Sequence, residues 1–400
     1  MNLLFTITSY FPAIGGAQLL QHQIALHLKD RHSIQVVTFW DRNRTDWLLG
    51  TTLRAPSRPS DFEAEGIPVH RIGLTLQTKL RMLPFVALYY PLLRVSAAAI
   101  AHPLAHNLEP FAATVSLIHN VRIGREPLSY ASYQVARNRD IPFVLTPVHH
   151  PRWKGWLYRA YADLYKRADA VLALTKVERD MLAAYGVDRR RIHVIGMGPI
   201  LASMAHPEVF LERYHVDPPI VMFLGQHYIY KGYRQLLEAA DLVWQKVPET
   251  NFVFAGPAVG RSERIFREFA DGRIRRLGSV PLQTKTDALA ACSLLCVPST
   301  QESFGGVYTE AWSFAKPVIG CKIPAVAEVI SDGVDGFLVA QDAEEIADRI
   351  CYLLLNPDRA HAMGLKGQLK VQTRYTWERI AQSTESAYQA VLGGREASDE

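Results

Sequence analysis

Short apolar runs of strand length recur along the chain, separated by segments long enough to form helices. Strands that alternate with helices are typical of βαβ units, which build parallel sheets. The runs fall into two sets, and we therefore predict an α/β protein with two parallel sheets. The first set is LLFTITS, IQVVTFW, ATVSLIH, FVLTP and AVLAL, and the second is IVMFLG, NFVFAG, LLCVPS, PVIGC and GFLVA.

The pattern is interrupted between the two sets, at residues 196–210, where Gly, Pro and Met precede a new strand-like run. A chain of 400 residues is long enough for two domains with separate hydrophobic cores. We predict a Rossmann-like domain over residues 1–199 and a second over residues 200–375.

The beginning of the chain, MNLLFTITSYFP, has neither a basic segment nor a cleavage site of small residues. It does not have the pattern of a signal peptide, and we expect the chain to stay in the cytoplasm. The cysteines lie in apolar surroundings without a CxxC pair, which favours buried thiols over disulfides or a zinc site. They are Cys292, Cys296, Cys321 and Cys351.

Charge is distributed unevenly between the two halves. Residues 1–199 hold 24 Lys and Arg against 14 Asp and Glu, a net charge of +10, whereas the remaining residues hold 20 against 25, a net charge of −5. A basic first half suggests an acidic partner surface, such as anionic lipid, a phosphorylated substrate or nucleic acid. The alternative is a basic face that is simply solvated.

Residues 79–101 form the most hydrophobic long run of the chain. A membrane-spanning helix needs about 20 apolar residues, but Pro84, Pro91 and Arg94 interrupt this run. The run therefore predicts a buried or interfacial helix pair. The alternative is a pair that packs against the first sheet.

Glycines follow three of the strand-like runs and precede helix-like segments. They are Gly15–Gly16 in TSYFPAIGGAQ, Gly232 after Lys231 in the second half, and Gly305–Gly306 in ESFGGVYTEAW. Turns of this kind present unpaired N–H groups at a helix start, which favours phosphate. Because ligands of parallel sheets bind at the carboxyl ends of strands, the three turns predict sites that enclose a phosphorylated ligand.

These motifs together resemble those of the family 4 glycosyltransferases with the GT-B fold, also called glycosyl transferases group 1. The resemblance covers nearly all of the chain and is most specific in the second half. It rests on the glycine turns, on ESFG with the E-x7-E pair Glu302 and Glu310, and on EAWSFAKPVIG and Glu328 ahead of DGVDGFLV.

The resemblance implies two Rossmann-like domains that face each other across a cleft. It also implies that TWERIAQSTESAYQAVL is a closing helix, so that residues 376–400 cross back onto the first domain. The tail GGREASDE at the end of these residues is expected to be disordered on its own composition. The implied activity is that of a hexosyltransferase, which moves a sugar from a nucleotide diphosphate donor to an acceptor with retention at the anomeric carbon.

The resemblance also assigns roles to residues of the turns. Glu310 would accept hydrogen bonds from the ribose hydroxyls of the nucleotide, and Glu302 from a hydroxyl of the transferred sugar. Lys231 would neutralise the charge that grows on the leaving diphosphate. Phe304, Gly305 and Gly306 would offer backbone N–H groups to the sugar and the diphosphate. The other residues expected to bind the donor are Gly15, Gly16, Gln226 and Val307.

Gln226 departs from the family pattern, because members usually carry an arginine directly after the glycine that corresponds to Gly225. The departure leaves the diphosphate one cation short. Either another basic side chain, such as His227 or Arg234, takes its place, or the donor binds less tightly than in other members.

The sequence contains no D-x-D triplet, the motif that bridges a diphosphate through a metal ion. We therefore predict catalysis without a metal ion and without any cofactor besides the donor substrate, with Lys231 and helix ends in the place of the ion.

The segment VLTPVHHPRWKGW places two histidines after a strand of the first half. The family commonly has a histidine near this point, facing the sugar, and we assign this role to His150, with His149 as the second choice. The following residues 152–159 mix aromatic and basic side chains, which suits a membrane interface or a phosphorylated lipid. The alternative is a helix that packs its aromatic side on the sheet.

The expected acceptor is a glycan or a lipid-linked molecule, as in polysaccharide biosynthesis, and the expected location is the inner face of a membrane, bound peripherally. Single-stranded nucleic acid would also suit residues 152–159, but the donor motifs argue against it. Two other functions remain open: a non-catalytic binding or scaffold subunit, which Gln226 favours, and a nucleotide-sugar epimerase of GT-B type.

Overall fold

The computed structural model describes residues 1–11, 15–42, 48–122, 126–149, 155 and 158–399. It divides into two compact units. The amino-terminal unit consists of Met1–Gly196 together with Trp377–Glu400, and the carboxyl-terminal unit consists of Met197–Thr376.

The amino-terminal unit alternates strands and helices. In chain order its elements are β1 (Asn2–Ile7), α1 (Gly16–Leu28), β2 (Ser33–Thr38), α2 (Leu48–Leu53), β3 (Ser60–Ala64), β4 (Ile67–Arg71), α3 (Leu76–Ala87), α4 (Leu93–Leu108), β5 (Leu117–Val121), α5 (Leu128–Asn138), β6 (Phe143–Thr146), α6 (Arg159–Arg167), β7 (Ala170–Ala173), α7 (Lys176–Ala184) and β8 (Ile192–Val194).

Its described strands form one sheet in the order β3-β4-β2-β1-β5-β6-β7-β8. The strands pair in parallel except for the hairpin of β3 and β4. At the hairpin turn Glu65 has a φ of 51° and Gly66 a φ of 82°, the two positive values of a type I′ turn. The central strands are buried on both faces, as expected for a sheet covered by helices.

The apolar run of residues 79–101 forms two helices, as the sequence predicts. It covers most of α3, which contains Pro84, and the first half of α4. Met82, Leu93 and Ile100 are buried, so part of the helix pair packs into the hydrophobic core of the amino-terminal unit.

The carboxyl-terminal unit has the same alternation. Its elements are α8 (Pro207–Tyr214), β9 (Ile220–Leu224), α9 (Tyr233–Trp244), β10 (Asn251–Ala255), α10 (Ser262–Glu268), β11 (Ile274–Gly278), α11 (Leu282–Ala291), β12 (Leu294–Val297), α12 (Gly306–Trp312), β13 (Val318–Cys321), α13 (Pro324–Val329), β14 (Gly336–Val339), α14 (Ala343–Leu355) and α15 (Pro357–Arg374).

The described strands of this unit form an all-parallel sheet in the order β11-β10-β9-β12-β13-β14. β9 and β12 are neighbours near the centre of the sheet. The loops that follow them therefore meet at the same carboxyl edge, and this places the Lys231 turn beside the ESFGG turn. The four cysteines are buried free thiols.

The last helix, α16 (Trp377–Asp399), belongs to the amino-terminal unit, where it packs on α1. The Tyr388 hydroxyl lies 2.7 Å from Nδ1 of the fully buried His119, and Glu385 Oε1 lies 2.7 Å from His32 Nε2. The chain thus crosses back to its first unit, as the family resemblance implies. The tail expected to be disordered continues the helix as far as Asp399.

Candidate active site

The turn between β12 and α12 is built around a glycine in a left-handed conformation. Gly305 has a φ of +90°, which side chains other than glycine adopt at a cost. A Cβ atom at this position would lie 2.4 Å from the ring of Tyr308, whose hydroxyl donates a hydrogen bond to the Val297 carbonyl at 2.8 Å. The ring cannot easily move away, so the turn requires glycine here.

Both carboxylates of the E-x7-E pair are buried beside this turn. Glu302 is 8% exposed and Glu310 is 6% exposed. A buried carboxylate is costly unless a cation or hydrogen-bond donors compensate its charge. Each of the two glutamates has a lysine of its own.

Lys231 is the partner of Glu302, with 2.5 Å between its Nζ and Oε1 of the glutamate. Lys231 ends a short 3₁₀ helix, Ile229–Lys231, and Gly232 follows with a φ of +78°. A Cβ atom on Gly232 would lie 2.4 Å from the Pro298 carbonyl oxygen, so only glycine lets this loop approach the end of β12. The sequence motifs KG and ESFG are thereby brought into direct contact.

Lys285 is the partner of Glu310, with 2.7 Å between Nζ and Oε1. Burial raises the pKa of Glu310, and the ammonium of Lys285 counteracts the rise. Within the described part of the chain, Oε2 of Glu310 is buried and has no hydrogen-bond partner. This carboxylate therefore has one oxygen held by a lysine and one oxygen available to a hydroxyl donor.

Sequence reasoning missed Lys285. It lies in the first turn of α11, in LQTKTDALAA, with no glycine turn beside it and no recognisable motif around it. Only the packing of α11 beside α12 reveals its role.

The backbone groups assigned to the donor lie in the same turn. Phe304 is buried and its ring packs edge-on against Tyr375. Gly306 and Val307 are half-buried and form the first turn of α12, where backbone N–H groups lack partners within the helix.

Gln226 is exposed and follows Gly225, as the sequence indicates. Of the two nearby basic residues, His227 does not supply the charge of the family arginine. His227 is 1% exposed and packs against Phe223 and Phe266, and burial lowers its pKa to about 4, so it is neutral at pH 7. Arg234 is paired with Glu238 at 2.9 Å.

The remaining site residues predicted from the sequence belong to the amino-terminal unit. Gly15 precedes α1 and Gly16 is its first residue, at the carboxyl end of β1. His150 lies outside the described residues. His149 is 3% exposed and packs between the rings of Tyr165 and Tyr185.

Among the described residues, no group of three or more His, Cys, Asp and Glu side chains is arranged to hold a metal ion. Of the helices in the described ranges, none combines the length and the apolar character needed to cross a membrane.

Comparison with family models gives two matches along the chain. Residues 15–198 match the model described as "Glycosyl transferase 4-like domain", and residues 218–356 match the one described as "Glycosyl transferases group 1". Both glutamates, their two lysines and the ESFGG turn lie within the second match.

Two individual relatives have sequence identities below 30% to this chain. The chain is 28% identical over 264 residues to alpha-maltose-1-phosphate synthase of Mycolicibacterium smegmatis, which is 59% of this chain and 66% of that protein. It is also 28% identical over 244 residues to D-inositol 3-phosphate glycosyltransferase of Kribbella flavida, which is 56% of this chain and 57% of that protein. Both alignments span less than two thirds of the relative's length.

Solved structures share the fold over nearly the whole chain. Sucrose-phosphate synthase from Thermosynechococcus elongatus has a TM-score of 0.78 at 19% identity, with 98% of this chain and 99% of that chain covered. HepE from Anabaena, solved in complex with UDP-glucose, has a TM-score of 0.76 at 20% identity, with 98% and 100% covered. The chain therefore belongs to the group 1 glycosyltransferases, has the GT-B fold, and carries a glycosyl transferase 4-like domain in its first half.

Proposed function

We propose that this protein transfers a sugar from a nucleotide diphosphate sugar to an acceptor, with retention at the anomeric carbon and without a metal ion. The observation that carries the proposal is the pair of buried carboxylates, Glu302 and Glu310, each beside its own lysine and on either side of a glycine turn. The donor observed in the solved complex of HepE with UDP-glucose supports a nucleotide sugar here.

The nucleotide binds through Glu310. The free Oε2 oxygen accepts a hydrogen bond from a ribose hydroxyl, since Oε1 is already held by Lys285. A carboxylate suits a diol because each of its oxygens can accept more than one hydrogen bond. A charged acceptor in a buried site contributes about 1.5 to 3 kcal/mol.

The diphosphate binds at the ESFGG turn. Because Gly305 and Gly306 have no side chains, phosphate oxygens can approach the backbone N–H groups of this turn, including that of Val307, closely. Gly15 and Gly16 supply the corresponding glycine turn of the amino-terminal unit.

Lys231 and Glu302 act on the transferred sugar and the leaving group. Lys231 Nζ, 2.5 Å from Glu302, places a positive charge where the diphosphate develops negative charge as the glycosidic bond breaks. Glu302 accepts a hydrogen bond from a sugar hydroxyl and thereby orients the anomeric carbon. His150 is our candidate for the histidine that faces the sugar.

The donor assay that tests this proposal uses the full-length protein with a panel of nucleotide sugars and a lipid and glycan extract. Release of nucleoside diphosphate that depends on the extract, with a glycosylated product found by mass spectrometry, supports the transferase. A protein that binds a nucleotide sugar but never releases the nucleotide is the non-catalytic binding subunit, the second candidate, which the exposed Gln226 in place of arginine favours.

We further propose that the acceptor is a glycan or a lipid-linked molecule at a membrane surface. The α3–α4 pair carries a row of exposed apolar side chains, spaced three to five residues apart: Leu76, Leu80, Leu83, Leu88, Leu92 and Val95. Leu76 and Leu80 are 69% and 60% exposed. A single exposed leucine is common in folded proteins, so it is the succession of six exposed apolar side chains that supports a binding surface.

The charges around this apolar row fit anionic lipid. Arg81 and Arg94 are exposed on the same helix pair, and the sequence contains no Asp or Glu from residue 66 to residue 108. Arg94 forms an ion pair with Asp163 of α6 at 2.6 Å, so Arg81 is the more available of the two cations. Each Lys or Arg close to an anionic surface contributes about 1 kcal/mol to binding. The row is too short to span a bilayer and suits shallow insertion of leucine side chains.

Flotation with vesicles tests the membrane surface. Wild-type protein should float with anionic vesicles at low salt, and less so at high salt or with neutral vesicles. The double variant Leu80→Ser, Leu83→Ser should stay in the soluble fraction, whereas the control Leu365→Ser, Leu369→Ser, which removes two exposed leucines of α15, should float normally. Equal flotation of both variants would overturn this surface, and a wild type that never floats would favour a soluble acceptor.

A further inference from the structure

We propose that Lys285 is a positioning residue, which holds Glu310 in place as the acceptor of ribose hydroxyls and so sets a preference for ribonucleotides over deoxyribonucleotides. The inference rests on the proposed donor site. It concerns a residue that no sequence motif marks and that lies on a different helix from Glu310.

The geometry fixes one half of the carboxylate and leaves the other half free. Lys285 Nζ lies 2.7 Å from Oε1 of Glu310, and both side chains are largely buried, at 15% and 8% exposure. Oε2 is buried without a hydrogen-bond partner among the described residues. Because the lysine restrains the carboxylate through one oxygen, the other is held in a defined direction before any ligand arrives.

No other charged side chain of the described neighbouring elements takes this role. α12 packs against α11, α15, β12 and β13. Lys285 is the side chain whose charge acts on the Glu310 carboxyl. The backbone N–H of Ile200 also favours the ionised form, although it makes no hydrogen bond to Oε2. Two other charged groups of these elements have partners of their own: Asp287 accepts a hydrogen bond from the His206 N–H, and Lys370 is paired with Asp335. The thiols of Cys296 and Cys321 are buried. The remaining titratable residues of these elements are exposed: Asp358, Arg359, His361, Lys366 and Arg374.

Removal of the lysine should change the state of the carboxylate as well as its position. Burial already raises the pKa of Glu310, and the Lys285 ammonium counteracts that rise. Without the ammonium the pKa rises further, so the carboxyl becomes protonated at a higher pH. A protonated and unrestrained carboxyl distinguishes poorly between a ribose and a deoxyribose.

The experiment measures binding of nucleoside diphosphates and of their 2′,3′-dideoxy forms by calorimetry, with the full-length protein and bases chosen from a panel. Wild type should bind the ribonucleotide at least about tenfold more tightly than the dideoxy form, the loss expected for a hydrogen bond to a charged group. In Lys285→Leu this ratio should fall below about threefold, and Lys285→Arg should restore most of it because it keeps the charge.

The pH dependence separates this role from a merely structural one. In Lys285→Leu, affinity for the ribonucleotide should rise with pH over a range in which wild-type affinity is constant, because the carboxyl regains its charge as pH increases. The double variant Lys285→Leu, Glu310→Gln should show no such rise in affinity with pH. Lys246→Leu, which removes the lysine of the exposed pair with Asp348 in the same unit, should leave both the ratio and the pH profile unchanged.

The outcomes are distinguishable. If Lys285→Leu keeps the wild-type ratio and a constant pH profile while Glu310→Gln lowers the affinity, the role of Lys285 is overturned and the donor site stands. If no nucleotide in the panel binds to wild type, the donor site fails and this inference with it. Circular dichroism checks folding, and Lys285→Gln, which keeps a polar group at the position, supplies the same comparison if the leucine variant does not fold.

Discussion

The ammonium of Lys231 lies 2.5 Å from the carboxylate of Glu302, although the two residues are 71 positions apart in the chain. They meet because β9 and β12 are neighbours in a parallel sheet and their following loops share one edge. Both residues are candidates for contact with the donor. A cation and a hydrogen-bond acceptor therefore lie side by side at the place where we expect the donor to bind.

Replacement of Lys231 should therefore lower turnover strongly. Lys231→Met removes the charge that stabilises the leaving diphosphate and leaves Glu302 buried without its partner. We expect kcat to fall by about 10²- to 10³-fold, as for loss of a transition-state donor in other enzymes. Lys231→Arg, which keeps the charge, should retain more activity. Steady-state kinetics with saturating donor would contradict the assignment if Lys231→Met kept the wild-type kcat.

The two carboxylates should differ in their effects. Glu310→Gln should weaken nucleotide binding by about 1.5 to 3 kcal/mol, because it removes a charged acceptor of the ribose. Glu302→Gln should mainly reduce kcat, since the sugar is the only part of the donor that Glu302 is proposed to contact. Calorimetry with the nucleoside diphosphate and kinetics with the intact donor separate the two effects. Unchanged behaviour in both variants would remove the donor site from this turn.

Much of this arrangement could be predicted from the sequence because it depends on local patterns. The ten apolar runs all lie in or overlap strands, and the turn residues mark where those strands end. The hairpin of β3 and β4 was not predicted, since SDFEA is largely polar, and neither was β11, where IRRLG carries two arginines at the edge of its sheet.

The Lys285–Glu310 pair could not be predicted for a different reason. Its partners lie 25 residues apart on two helices, and their contact depends on how α11 and α12 pack.

Likewise, His227 follows Gln226 in the sequence and could have supplied a cation to phosphate. Its burial among aromatic rings keeps it neutral, and the sequence does not reveal that burial.

Restoring the family arginine should improve donor binding. Gln226 is exposed after Gly225, so Gln226→Arg requires no repacking of the core. An added guanidinium beside a diphosphate contributes a charge-assisted hydrogen bond, and we expect the KM for the donor to fall by about tenfold. Gln226→Glu is similar in size, but its negative charge repels phosphate, so this variant should have a higher KM for the donor. A KM that is the same in both variants would place the diphosphate away from this residue.

The ESFGG turn should be sensitive to a single added methyl group. Gly305→Ala places a Cβ atom 2.4 Å from the Tyr308 ring and forces a side chain into a φ of +90°. Gly260→Ala is the matched control, since its φ is +60° and nothing lies within 4 Å of the added atom. The control should cost about 1 kcal/mol and the Gly305 variant clearly more. Thermal unfolding checks this, and equal losses would mean that the turn has space for alanine.

Transfer should continue in the presence of excess EDTA. The reason is the lack of a D-x-D triplet in the sequence together with the placement of Lys231, which supplies positive charge to the diphosphate. The assay compares initial rates with and without chelator after dialysis. Activity that is lost in EDTA and returns with Mg²⁺ or Mn²⁺ would show that the reaction depends on a metal ion.

Crystals soaked with a panel of nucleotide sugars test the central claim most directly, because they locate the donor relative to the two carboxylates. The account predicts a ribose within hydrogen-bond distance of the Glu310 carboxylate, a diphosphate at the Gly305–Gly306 turn beside Lys231, and a sugar hydroxyl on Glu302. A nucleotide sugar bound elsewhere on the molecule, with Glu302 and Glu310 still paired only to their lysines, would contradict it.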